Sequence, residues 1–129
     1  MRIYVTHSGK LNYHDELYLP IRSAESFREC EIILPHEDSE KSFDSRRLLL
    51  ERSVDLVIAE VSFSSLGQGI ELGWADAFGV PIVAIVRTGF SFSRSLSVVC
   101  QDVREYNGDN VSVVKVIENI ISDYEQSKS

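Results

Sequence analysis

Little in this sequence speaks for cross-links, membranes or polyanions. Only two cysteines occur, Cys30 and Cys100, and their number and spacing do not fit a metal-ligating set. The expectation is a reduced, cytoplasmic chain without a metal. Basic residues are outnumbered, 13 Lys and Arg against 20 Asp and Glu, for a formal charge of −7. That balance argues against non-specific binding to nucleic acid or to an anionic membrane. An anionic small ligand is not excluded, because backbone amides hold an anion against an unfavourable net charge. Long apolar runs are missing too, and the longest are far too short to cross a bilayer. The opening MRIYVTHS has no basic region followed by an apolar stretch, so no signal peptide is expected. No internal repeat, low-complexity segment or linker divides the chain, and residues 1–129 are expected to form one domain.

What is present is an ordinary globular mixture, 43% hydrophobic and 26% charged, in which strand and helix patterns alternate. Ile3 to Thr6 reads as a short buried strand, followed by a polar turn from His7 to Lys10. From about Tyr13 to Arg28, Leu17, Ile21, Ala24 and Phe27 recur at helical spacing. Glu31 to Leu34 is a second strand, stopped by Pro35, and His36 to Phe43 is a polar loop. Asp44 or Ser45 caps a helix running to about Ser53. Asp55 to Val61 is the clearest buried strand. A Ser- and Gly-rich loop, Ser62 to Gly69, leads into a helix over Ile70 to Phe78, with Gly79 at the C-cap. Pro81 to Val86 is a further buried strand. Arg87 to Ser97 is a long polar loop with room for a short helix, Val98 to Tyr106 holds a weaker fifth strand, and Val111 to Tyr124 is a closing amphipathic helix.

Strands that alternate with helices predict an α/β fold: three layers around a five-stranded parallel sheet. The expected order is doubly wound, flavodoxin-like (Rossmann-like), with right-handed crossovers. Ligands bind such sheets beyond the carboxyl ends of the strands at the switch point. Residues 7–12 and 62–71 should line that site.

The second of these segments runs Ser64-Ser65-Leu66-Gly67-Gln68-Gly69-Ile70-Glu71-Leu72-Gly73. Its glycines let backbone amides approach a ligand closely, and the helix it enters favours an anion. A Walker loop is ruled out by the missing lysine, and GxGxxG by the missing third glycine. Glu71 lies early in the helix, on the ligand side of the sheet if Ile70 faces the core. An ionised carboxylate in a pocket can attack an anomeric carbon, as retaining glycosidases do. The same residues also fit a plain reading, with Ser65 to Gln68 a capping box and Glu71 serving the helix dipole. Glu60, near the end of a buried strand, reads as a structural acid bonded to loop amides.

The run DLVIAEVSFSSLGQGIELGWA, Asp55 to Ala75, resembles the signature of the nucleoside 2-deoxyribosyltransferase superfamily. It is most similar to the branch of 2'-deoxynucleoside 5'-phosphate N-hydrolases. The resemblance implies a nucleotide-metabolism hydrolase that breaks the base–sugar bond of a (deoxy)nucleoside 5'-monophosphate. It places Glu71 on the nucleophile that forms a glycosyl-enzyme intermediate, and Tyr4 on the tyrosine that positions it. Ser65 falls where the hydrolases hold the 5'-phosphate, with Gly67 and Gly69 as phosphate-loop glycines. His36 falls where a histidine meets the substrate. A further serine, Ser95 or Ser97, would come from the partner subunit of a homodimer with a shared active site. No cofactor is implied.

Two departures stand out. The turn after the first strand is His7-Ser8-Gly9-Lys10, in which Ser8 and Lys10 remain candidates for phosphate. The helix aspartate of the family is replaced by Arg47. Asp44, a turn earlier, either serves in its place or is a helix N-cap. This leaves ribose against deoxyribose open, and turnover itself. Base exchange by the same intermediate, nucleotide binding without catalysis, and NAD glycohydrolysis are the rival readings. His7 and His14 are expected in surface or loop roles, Trp74 and Phe78 in the core or at a subunit contact, and Arg87 and Arg94 solvated or steering a phosphate.

Overall fold

A computed structural model describes residues 1–38 and 43–128. Five parallel strands form one sheet: β1 Arg2–His7, β2 Glu31–Ile33, β3 Leu56–Glu60, β4 Ile82–Arg87 and β5 Val103–Tyr106. Their order is β2-β1-β3-β4-β5, the flavodoxin-like doubly wound arrangement, with the switch point between β1 and β3. Alternation along each strand feeds two apolar layers. Ile3, Val5, Ile58 and Ile85 face one side, where they pack with Ile21 of α1 (Leu19–Ser23) and Val113 and Ile117 of α5 (Asn110–Lys128). Tyr4, Val57, Ala59 and Ala84 face the other. There they meet Leu49 of α2 (Ser45–Leu50), Leu72 and Ala75 of α3 (Leu66–Ala77) and Leu96 of α4 (Leu96–Val99). The strands therefore read as continuous apolar runs, because both faces are covered.

The expected helix from Tyr13 to Arg28 is not one helix. A π-helical turn spans His14–Tyr18, α1 follows, and a 3-10 turn closes at Glu25–Phe27. Pro20 lies at the start of α1. It has no N–H to give the Glu16 carbonyl and its ring crowds that carbonyl, which favours the wider turn upstream. Ala24 then swings to extended dihedrals, φ −81° and ψ 124°, and Phe27 enters the core.

Helix α3 begins at Leu66, four residues before the expected start at Ile70. Gly67 and Gly69 therefore lie in its first turn rather than in a loop. Ser65 is the N-cap, its Oγ accepting from the Gln68 backbone N–H at 3.3 Å. The Gln68 side chain does not return to the cap, as a full capping box requires. Its Nε2 donates to the Glu60 carbonyl at 2.8 Å, which ties the helix start to the end of β3. Ile70 is 45% exposed and not in the core; Gln68, Leu72 and Ala75 form the buried stripe. At the other end Gly79 has φ 77°. Its N–H reaches Asp76 O at 3.1 Å and the Val80 N–H reaches Ala75 O at 2.8 Å, the paired bonds of a Schellman cap.

The remaining shifts are at element ends. Helix α2 stops at Leu50, β5 starts only at Val103, and α5 runs on to Lys128. Part of the expected His36–Phe43 loop, residues 39–42, lies outside the described residues. His7, expected in a turn, is the last residue of β1 and is buried.

Candidate active site

Parallel register sets Tyr4 beside Val57 and Thr6 beside Ala59. Residues two apart on a strand share a face, so both hydroxyls point toward α3. Glu71, in the second turn of α3, meets them there. The Tyr4 phenol donates to Glu71 Oε2 at 2.5 Å and the Thr6 hydroxyl donates to Oε1 at 2.7 Å. Glu71 is half-buried. Among the described residues no lysine or arginine lies within 4 Å of its carboxylate. Burial, then the negative charge of Glu71, then the bond to it push the Tyr4 hydroxyl far above the ordinary tyrosine range, so Tyr4 stays a donor. Its ring stacks on Phe43 with centroids 5.6 Å apart and planes 9° off parallel.

All three histidines of the chain gather near this end of β1. His7 stacks on Tyr13 at 4.5 Å and meets His36 edge-on at 5.5 Å. His14 lies against Tyr13 at 4.8 Å. The ring Nδ1 of His7 is 3.0 Å from Ser8 O, and Nε2 is 2.6 Å from the Tyr18 hydroxyl. A carbonyl only accepts, so in the neutral ring Nδ1 carries the hydrogen and Nε2 accepts from Tyr18. The Tyr18 oxygen in turn accepts the His36 backbone N–H at 3.1 Å, which anchors the segment after β2. Burial, first among its causes, holds the His7 imidazole below the ordinary value of 6.5.

Glu60, 1% exposed, is a satisfied structural acid. It accepts from the Ser62 N–H at 2.7 Å, from the Ser62 hydroxyl at 3.0 Å and from the Tyr106 hydroxyl. Arg87 Nε lies 4.0 Å away. Arg87 also pairs with Glu16 of the π-helical turn, so it is an internal strut rather than a solvated loop arginine.

The other candidates divide around α3. Ser8 is buried, and its hydroxyl accepts the Lys10 backbone N–H at 3.1 Å, while the Lys10 side chain is exposed. Asp44 caps α2, accepting the Arg47 N–H at 3.0 Å. Arg47 points outward and pairs with Glu51 at 2.9 Å. Trp74 and Phe78 pack against the α3-side apolar layer. Ser65, Gly69 and Ser95 line a cavity of about 660 Å³ between α3 and α4, along with Phe63, Phe92 and Leu96. Ser97 does not line it, and donates its hydroxyl to Arg94 O at 2.8 Å. At about 100° per residue, Glu71 lies roughly 200° around the helix from Gly69, and it does not line this cavity. The Glu71 cluster therefore lies on the β1 flank of α3, and the open apolar groove on the α4 flank. Thr6 and Tyr18 are contacts that sequence reasoning passed over; the spacing of Thr6 two residues after Tyr4 was the signal available.

No family model matches the chain. A protein of Syntrophotalea carbinolica named "Putative 2'-deoxynucleoside 5'-phosphate N-hydrolase 1" is 34% identical over 70 residues. The match covers 46% of this chain and 49% of that protein, so the chain spans about half the length of the relative. A solved structure of a CMP N-glycosidase, BcmB, from Clostridium botulinum overlays with a TM-score of 0.61 at 20% identity. It covers 92% of this chain and 99% of that one, a likeness of fold. In signature and in sequence relative, the chain resembles the nucleotide N-hydrolases of the nucleoside 2-deoxyribosyltransferase superfamily.

Proposed function

We propose that the chain is an N-glycosidase of nucleoside 5'-monophosphates, working by double displacement at Glu71. The observation that carries this reading is the Glu71 carboxylate, held by two neutral hydroxyls at the carboxyl end of β1 with no cation in contact among the described residues. A carboxylate neutralised by an arginine would be a poor nucleophile; one aimed by hydroxyls keeps its charge and its free lone pairs.

One Glu71 oxygen attacks C1' and the C1'–N bond breaks, its electron pair leaving with the base. The base takes up a proton, for which the exposed His36 ring is the candidate donor. Water then attacks C1' and gives up a proton to solvent, the ester bond to Glu71 breaks with its electron pair returning to the carboxylate, and the sugar 5-phosphate leaves. The phosphate would meet the free amides at the start of α3, with Ser65, Gly67, Ser8 and Lys10 around it and Gly69 in the same first turn. A neutral Ser65 suits a dianion where an acid would repel it. No cofactor takes part. A homodimer sharing its sites is supported by the exposed Leu66 (83%) and Val98 (77%) beside the α3–α4 groove. In such a dimer Ser95 or Ser97 would complete the partner's site. The place of work is the cytoplasm, and no helix among the described residues is long and apolar enough to cross a membrane.

A screen of nucleoside monophosphates and nucleosides for released base, read by chromatography, tests the proposal. Wild type should release base from a monophosphate and Glu71→Gln should not, with the fold unchanged by circular dichroism. Adding a second free base separates hydrolysis from exchange. One observation favours a non-catalytic rival: Asp44 is engaged as a cap and Arg47 faces outward, so neither supplies the acid of the relatives. Nucleotide binding without base release would decide for that rival.

A further inference from the structure

We propose that Thr6 is a second positioning residue for the Glu71 nucleophile, acting through the hydrogen bond it donates to Oε1. The proposal rests on the glycosidase reading and deepens it. Nothing in the signature Asp55–Ala75 contains this residue, and the resemblance assigns the positioning task to Tyr4 alone.

Thr6 is fully buried near the carboxyl end of β1, beside Ala59 of β3. Its neighbours on the same face are apolar, and its nearest column partners Tyr4 and Ala59 belong to the apolar layer under α3. A valine would fill this space with the same branched shape. A buried hydroxyl is costly there unless it is bonded. Among the described residues Glu71 Oε1, at 2.7 Å, is its partner. The small Ala59 leaves room for the Glu71 side chain to reach down to the strand.

The consequence is geometric. With Tyr4 on Oε2 alone, the carboxylate can swing about its terminal bond, since such torsions are broad. A second donor on Oε1 removes that freedom. Each oxygen then keeps a lone pair for the sugar, in one plane, before substrate arrives. Thr6 also serves the second step, because its O–H can stabilise the carboxylate as it leaves C1'. Unlike Tyr4 it carries no ring and no stacking partner, so its hydroxyl can be deleted with little change of packing.

The test compares wild type, Thr6→Val, Thr6→Ser and Glu71→Gln on the best monophosphate found in the screen. Thr6→Val should lower kcat about ten- to a hundredfold, the range spanned by hydrogen bonds to charged groups, while KM stays within about twofold. Thr6→Ser should recover most of kcat, because the donor returns. Thr6→Val should give the same circular-dichroism spectrum as wild type and stay folded at the assay temperature, which separates lost aim from lost fold. A Thr6→Val enzyme with full kcat, or a Thr6→Ser enzyme no better than the valine variant, overturns the role of Thr6 while Glu71 stands. A Glu71→Gln enzyme that still releases base overturns the glycosidase reading, and this proposal with it.

Discussion

Removing the acid at the end of β3 should break the sheet's C-terminal edge without touching Glu71. Glu60 is 1% exposed and holds three hydrogen bonds, from the Ser62 N–H, the Ser62 hydroxyl and the Tyr106 hydroxyl, with Arg87 at 4.0 Å. Glu60→Ala would leave these donors facing a void. Arg87 keeps Glu16 and still donates to the Tyr106 oxygen, but the Tyr106 O–H and the Ser62 N–H lose their acceptor. Breaking a buried charged network by removing one partner costs about 3–5 kcal/mol. With a urea slope of about 2 kcal/mol per molar for a chain of this size, the unfolding midpoint should fall by roughly 2 M. Glu60→Gln keeps the shape and one acceptor and should cost less, about 1–3 kcal/mol. Tyr106→Phe combined with Glu60→Gln should be less harmful than the sum of the two, since both remove the same bond. Urea titration by circular dichroism reads all three. A Glu60→Ala midpoint within about 0.5 M of wild type would refute the argument that this acid holds the edge together.

Stability should fall as the pH drops below 6.5, the unfolded histidine value, toward the lower folded value of His7. In that window the unfolded chain binds the proton and the folded chain does not, so folding loses ground as acid is added. His7→Gln should flatten this part of a thermal-midpoint profile against pH, and an unchanged slope would count against the buried neutral imidazole. Gly79→Ala should destabilise by about 1 kcal/mol through its positive φ alone, because the added methyl meets nothing closer than Arg52 at 3.9 Å; no loss of midpoint would contradict this. Ser65→Ala should cost about 1 kcal/mol as a lost N-cap. Ser65→Asp should keep the cap yet weaken binding of a 5'-monophosphate relative to its nucleoside, measured by calorimetry.

The sheet was legible because its strands are buried on both faces: IVAIV at β4 and LVIA at β3 leave no amphipathic ambiguity. The Schellman glycine at position 79 was equally plain. Helix α3 was read four residues short because Gly67 and Gly69 count against helix on propensity. The capping by Ser65 and the anchoring of Gln68 outweigh them there, and Gln68 signals nothing in sequence until Glu60 is placed beside it. The split after β1 follows from Pro20, whose effect on the preceding turn a periodicity count does not register. His7 was misread because a polar residue in front of Ser-Gly looks like a turn; Ser8 O and Tyr18 satisfy it in burial. At the site, the resemblance nominated Glu71 and Tyr4, and the fold sets them 2.5 Å apart. Gly69 lies about 200° around α3 from Glu71, and Ser95, which the resemblance assigns to the partner's site, lines the cavity on the α4 flank.

Glu71, held among the described residues by uncharged donors, stands in an unbalanced local field. On the proposed reading, a ground-state nucleotide, itself anionic, would gain nothing from that field and be mildly repelled by it. In the proposed reaction, a sugar ring that acquires positive character as the base departs would bring a cation to the carboxylate. Attraction then grows along the reaction coordinate, and favours the species at the top of the barrier over the one that entered.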